Sequence, residues 1–155
     1  MEKGFEPIFD KNSQILILGS FPSVISRKEG VRFYYGNPRN KFWGTLSRIF
    51  EVEIKNEKQE KIKFLLNHKI ALWDIVESCD IIGAADSKIT NYSVVNLDII
   101  LNFAKINKII LNGKKAFEIF NKNYSFNKIE VICLPSTSPA NFYFDFNKWL
   151  EVLKK

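Results

Sequence analysis

Apolar residues fall along this chain in short blocks of two alternating kinds. The first kind is compact. Ile15-Leu16-Ile17-Leu18, Ile70-Ala71-Leu72-Trp73 and Lys108-Ile109-Ile110-Leu111 are too brief for helices and read as strands buried on both faces, with a fourth over residues 129–134. The second kind is periodic. Phe42, Leu46, Ile49 and Phe50 share one helical face within residues 41–50, and Ile62, Leu65 and Leu66 form the inward face of residues 58–67. Asn96 suits the N-cap of a helix carrying Leu97, Ile100, Leu101 and Ala104. Residues 114–121 form a helix directly after Gly113, and a final helix ends near Lys154. Residues 77–92 are polar, contain Gly83 and hold no period, so they are expected as a loop lying over the sheet.

Four apolar strands separated by helices imply parallel pairing through right-handed crossovers. The predicted fold class is α/β, a three-layer sandwich with a central four-stranded parallel sheet flanked by helices, in one domain over residues 1–155. Ligands of such sheets bind at the carboxyl ends of the strands. That rule directs attention to residues 19–40, 74–87, 112–114 and 135–141.

The formal net charge of +6 favours a polyanionic partner, since each Lys or Arg set on a phosphate releases a counterion. The chain has two cysteines, Cys79 and Cys133, in no C-x-x-C pair, which excludes zinc ribbons, paired-thiol redox motifs and iron–sulfur ligation. They are expected as reduced, buried thiols. Neither a secretory leader nor a run of 18 apolar residues is evident, so a soluble, cytoplasmic, unanchored monomer with no metal or cofactor is expected.

Three strand-end segments are unusual. Gly19 permits a sharp turn after the first strand, and Pro22 stiffens the chain beyond it. Before the first long helix stand three aromatics, a glycine, a proline and two asparagines; Asn40 is placed either to cap that helix or to face the strand ends. Residues 134–141 are small, polar and stiffened by two prolines. They suit either a phosphate-binding surface or a tight connection.

Taken together, GSFPS at residues 19–23, YYGNPRNKFW at 34–43, LNGKKA at 111–116 and LPSTSPAN at 134–141 resemble the uracil-DNA glycosylase superfamily, and most closely its hypoxanthine-DNA glycosylase branch. The ALWD-to-Cys79 region is similar to that branch as well. The resemblance implies a DNA-repair enzyme that flips a deaminated nucleotide out of single- or double-stranded DNA and hydrolyses its glycosidic bond. It implies that Tyr35 stacks on the flipped base, with a core ring as the plain alternative. It also implies that Asn40 positions the attacking water, because Phe21 occupies the place where the mismatch-specific uracil glycosylases carry an asparagine. In that reading Ser20 and Phe21 can supply backbone N–H groups at the strand end to stabilise the leaving base. Asn112 either reads a base edge or closes its strand, and Asp74 either lines the pocket or caps a turn. Ser136, Thr137, Ser138 and Pro139 match the loop that grips phosphates and pushes into the minor groove. Lys114 and Lys115 either touch phosphate or merely face solvent.

Departures from the family pattern are specific. Leu134 stands where several relatives carry a histidine, and the chain's one histidine, His68, reads as a helix-end residue. Asn37 stands where the branch often has histidine, and residues 80–84 are less polar than in relatives, which bears on the choice of lesion. Two other classes compete with a glycosylase. One is a non-catalytic nucleic-acid or nucleotide binder on the same scaffold. The other is a small-molecule hydrolase using Ser23 or Ser136, which lacks a G-x-S-x-G elbow.

Overall fold

A computed structural model describes residues 1–81 and 89–154. The chain begins with β1 (Glu2–Lys3), β2 (Ile15–Gly19), the single turn α1 (Val24–Arg27), α2 (Phe42–Phe50) and α3 (Lys58–Asn67). It continues with β3 (Ile70–Asp74), β4 (Val76–Ile81), β5 (Ile89–Val94) and the short α4 (Asp98–Leu101). It ends with β6 (Lys108–Asn112), α5 (Lys114–Asn123), β7 (Glu130–Leu134) and α6 (Phe146–Leu153).

The four compact apolar runs form one parallel sheet in the order β3-β2-β6-β7, flanked by helices. Ile17 of β2 is opposite Leu72 of β3 on one side and Ile110 of β6 on the other. These central strands are almost wholly buried, as continuous aliphatic runs covered on both faces must be. From β2 the chain moves to β3 on one side, then returns to build β6 and β7 on the other. The order therefore reverses between β2 and β6, and a crevice opens above their carboxyl ends. The outer edge of β3 is covered by the N-terminal segment, where Ile8 and Leu72 exchange two backbone hydrogen bonds of 2.9 Å.

All three tryptophans use the indole N–H to hold a loop carbonyl. Trp73 donates to Phe5 O at 3.1 Å, Trp43 to Tyr34 O at 2.9 Å and Trp149 to Pro135 O at 2.8 Å. A buried indole needs such a partner, so each ring ties a connecting segment to the core. Trp149 also meets Phe42 edge to face, which locks α6 against α2.

The structure corrects several expectations. The stretch expected as a loop over residues 77–92 instead supplies β4 and β5, which form a second, antiparallel sheet with β1 in the order β1-β4-β5. The alternation that marks a half-buried strand is broken there by two register shifts, one between Val76 and Ser78 and one between Ser78 and Asp80. The departure noted at residues 80–84 falls mostly on residues outside those described. Cys79 is buried, but Cys133 is exposed, because β7 is an edge strand. On α3 the buried residues are Lys61, Phe64 and Leu65, while Ile62 and Leu66 are only half-buried. Asn96 does accept the Asp98 N–H, at 3.1 Å, but the helix that follows is a single turn ending at Leu101. His68 closes α3, with Nδ1 2.9 Å from Phe64 O, as a helix-end residue should.

Lys61 is the unusual core residue. Its ammonium lies 5.1 Å from the Trp43 ring and 5.9 Å from the Phe33 ring and donates to Asn56 Oδ1 at 2.8 Å. Burial lowers its pKa, with ring faces and one amide carbonyl in place of a carboxylate.

Two phenols tie stability to alkaline pH. Tyr34 donates to Glu6 O at 2.6 Å, and Tyr124 donates to Val95 O. Burial raises both pKa values, that of Tyr124 from 10.0 to about 12, with the Glu77 carboxylate adding to the rise. The folded state therefore keeps protons that the unfolded chain gives up, so this stability is full below pH 10 and is lost as pH rises toward 12. In urea titrations at two alkaline pH values, Tyr124→Phe is expected to show a smaller loss of midpoint than the parent. An identical loss would assign the effect elsewhere.

Candidate active site

The crevice at the strand ends is a pocket of about 470 Å³, within the range of small-molecule sites. Its wall is built from residues 19–23 beyond β2, the segment before α2, Asp74 at the end of β3, Asn112 at the end of β6 and residues 136–141 beyond β7.

Gly19 sets the floor. A Cβ built on it would lie 2.5 Å from Asp74 Oδ1 and 2.7 Å from Tyr35 Oη. Only a residue without a side chain lets that carboxylate and phenol approach the end of β2. Asp74 is buried, and its charge adds to desolvation in holding the Tyr34 phenol well above its ordinary pKa. Tyr35 has a φ of 52°, a left-handed conformation uncommon for an aromatic, and its ring stacks on Phe42 with centroids 4.2 Å apart. Strained backbone of this kind concentrates at functional sites. The ring lines the pocket and packs on the core through Phe42.

Asn40 stands one residue before Lys41, the N-cap of α2; its Oδ1 accepts the Phe42 N–H, the first of the helix, at 2.9 Å, and the residue lines the pocket. A carbonyl oxygen has two lone pairs, so that bond leaves one, together with both N–H donors of the amide. The backbone holds the residue in place, since Asn40 N donates to Asn37 O at 2.9 Å.

The loop after β7 is fixed by a buried amide. Asn112 Nδ2 donates to Thr137 Oγ1 at 3.0 Å, and Thr137 N donates back to Asn112 Oδ1 at 3.0 Å. Thr137 O in turn accepts from Lys41 N at 3.0 Å, which joins this loop to the start of α2. Gly113 has a φ of 102°, and a Cβ there would stand 2.9 Å from Ser136 Cβ, so the chain passes under the loop only as glycine. Ser136 Oγ accepts the Ser138 N–H at 3.1 Å, Ser138 Oγ accepts the Ala140 N–H at 3.2 Å, and Asn141 Nδ2 donates to Ser136 O at 2.9 Å.

Of the residues singled out in the sequence, Ser20, Phe21, Tyr35, Asn40, Asp74, Asn112, Ser136, Thr137, Ser138 and Pro139 all line this one pocket. Lys114 does not; it is exposed on the first turn of α5. Asn112 proves to be both a loop anchor and a wall residue, with one N–H and one lone pair left over. Asp74 lines the pocket. The sequence reading did not single out Ser26 or Asn141. Ser26 Oγ accepts the Gly36 N–H at 3.0 Å and joins the two halves of the long first segment. Its only local signal is Ser23, which caps α1 by accepting the Ser26 N–H. The serine-hydrolase alternative loses its base, because His68 caps α3 and is absent from the pocket wall.

An amide, an aromatic ring and a hydroxyl-rich loop thus share one wall at the switch-point crevice of a parallel sheet. The chain belongs to the uracil DNA glycosylase superfamily, whose family model matches residues 6–154, and its class of activity is that of a DNA glycosylase. Within that class it is similar to the hypoxanthine DNA glycosylase of Methanosarcina barkeri, at 35% identity over 119 residues covering 76% of this chain and 74% of the relative. It is also similar to that of Methanosarcina acetivorans, at 33% identity over 155 residues covering 97% of this chain and 95% of the relative. The solution NMR structure of a Methanosarcina acetivorans protein assigned to the uracil DNA glycosylases superposes with a TM-score of 0.82 at 31% identity, covering 98% of this chain and 96% of that one.

Removing the loop anchor tests its weight. Asn112→Ala strands the buried Thr137 N–H and is expected to lower unfolding free energy by about 2–3 kcal/mol, while Thr137→Val, which keeps that N–H bonded, costs about 1 kcal/mol. Urea denaturation measures both. Equal effects would show that the backbone bond carries no special share.

Proposed function

We propose that this chain excises a deaminated base from DNA, hypoxanthine in preference and uracil or xanthine after it, leaving an abasic site without cutting the strand. The observation that carries this reading is the presence of Asn40, Tyr35 and Asn112 on the wall of one crevice at the switch point. The two Methanosarcina relatives named as hypoxanthine DNA glycosylases support the choice of base.

In this mechanism the flipped base rests against Tyr35, which Phe42 backs from behind. The free N–H and lone pair of Asn112 face its polar edge, with Asp74 on the same pocket wall. Backbone N–H groups at Ser20 and Phe21 draw negative charge onto the departing base. The glycosidic bond breaks with its electron pair leaving on the base, and the sugar gains oxocarbenium character. A water held by the Asn40 carboxamide forms the new bond to the anomeric carbon, loses one proton to solvent, and the base takes one up. An amide is a poor proton acceptor, so rate comes mainly from placement and leaving-group stabilisation. The residue 136–139 loop, with Lys114 outside it, faces the phosphates.

Labelled duplexes containing deoxyinosine, deoxyuridine or deoxyxanthosine, treated with protein and then alkali, test this directly. Cleavage at deoxyinosine is expected to be fastest, and no cleavage at any lesion with protein in excess would leave a non-catalytic binder. Asn40→Ala is expected to lower the single-turnover rate at least ~100-fold with little change in DNA affinity. Because Asn40 also bonds the first N–H of α2, Asn40→Ser is the control: its hydroxyl restores that bond and hence stability, but not the rate. Recovery of both would leave Asn40 a structural role only.

A further inference from the structure

A second hollow lies at the other pole of the parallel sheet. Gln14, Lys69 and Asn107 immediately precede β2, β3 and β6, and all three line it. Each of those strands is five residues long, so at ~3.3 Å per residue the hollow stands about 16 Å from the crevice. Its volume is about 430 Å³, and Lys11, Lys105 and Phe103 also line it. Its floor is tied together by the backbone. Gln14 N donates to Lys69 O at 2.8 Å, and Asn107 N donates to Gln14 O at 2.9 Å, which bonds the three strand starts in series.

Three lysines line this hollow, and no acidic residue does among those described. Lys11, Lys69 and Lys105 take part in no ion pair among the described residues. Asp10, just before the hollow, is turned into its own loop, where its Oδ1 accepts the Asn12 N–H at 2.8 Å. Lys69 has a φ of 61° at the position just past the end of α3, where glycine or asparagine is the easy choice. A side chain is strained there, yet the position carries a long cation. Phe103 supplies an apolar contact. It is 59% exposed, while Phe9 holds its ring edge to face with centroids 5.6 Å apart. Ile99, one turn earlier, is exposed as well.

Cations around an ordered, exposed ring complement an anionic ligand that carries an apolar group of its own. A duplex seated in the crevice lies at the opposite pole, with the length of the sheet between. An extended protein segment fits better, since its alternating side chains send carboxylates to the lysines and an apolar residue to Phe103. We infer that this hollow is a docking site for an acidic segment of a partner protein, anchored by an aromatic or leucine side chain against Phe103. Because the two poles are separate, the partner binds while the crevice is occupied. The site does not depend on what the crevice does chemically.

The probe is a labelled peptide of glutamates around one leucine–phenylalanine pair, titrated into the full chain and read by fluorescence anisotropy. Binding is expected to weaken steeply with salt and to persist with duplex DNA in excess. Phe103→Ala and the double variant Lys69→Glu/Lys105→Glu should each weaken it at least ~10-fold. The double variant Lys55→Glu/Lys58→Glu, at the far end of α3, changes net charge equally and should cost less than about twofold. Lys69→Gly separates binding from folding: the urea midpoint should hold or rise as the backbone strain is relieved, while the peptide binds less tightly. A peptide that does not bind, or losses at Lys69 and Lys105 no greater than at Lys55 and Lys58, overturns the inference. Displacement of the peptide by lesion-free duplex assigns the pole to nucleic acid instead. Binding of tripolyphosphate but not of the peptide assigns it to a small anion. A wild-type protein that dimerises in sedimentation, with Phe103→Ala monomeric, assigns it to a second copy of the chain. Each of these three results also overturns the inference.

Discussion

Thr137 is 1% exposed, and its N–H and hydroxyl both meet one carboxamide, that of Asn112. Buried amides cannot be left half-satisfied, so this pair fixes the distance between the end of β6 and the loop after β7. Through Thr137 O the same residue holds the first turn of α2, where Asn40 and Phe42 sit. Three chain segments far apart in sequence are thus registered by one threonine. The Asn40 amide, the ring behind Tyr35 and the loop after β7 are positioned together or not at all.

Close approach is the second constraint. Above β2 the missing side chain of Gly19 lets Asp74 and Tyr35 reach the floor, and beside β6 the missing side chain of Gly113 lets the loop descend. Both glycines stand at the crevice where strand order reverses, the place an open parallel sheet offers a ligand. The strain at Tyr35 belongs to the same economy of space. Its backbone adopts an unfavourable angle so that the ring can lie flat on Phe42 and present a wall. The helices contribute less to chemistry than to rigidity, with Trp43 and Trp149 pinning the two loops that make the walls.

The central sheet was legible because its strands are aliphatic on both faces, so Ile15-Leu16-Ile17-Leu18 and its counterparts needed no tertiary context. The β4–β5 pair was not, because two bulges put its polar and apolar positions out of phase. Lys61 was hidden for a different reason: a lysine in an amphipathic helix reads as solvent-facing, and the Trp43 and Phe33 rings, remote in sequence, together with Asn56 make its burial tolerable. At the site, the residues that cluster were visible as strand-end motifs, whereas their bonding was not. Nothing local to Asn112 reveals that its partner lies 25 positions on. Phe142 and Tyr143 look in sequence like core residues, and only the turn at Asn141 shows them facing outward.

The cover over β3 has a consequence for handling the protein. Every residue of that strand is buried, and its free side is occupied by the backbone of Ile8, with Phe5 held by Trp73 just beyond. The opening residues are therefore a structural cap on a sheet margin and not a dispensable tail. Trimming them as far as Ile8 would bare unpaired amides along the margin of a buried strand, an invitation to pair with neighbouring molecules and precipitate, and would strip the Tyr34 phenol of its partner at Glu6.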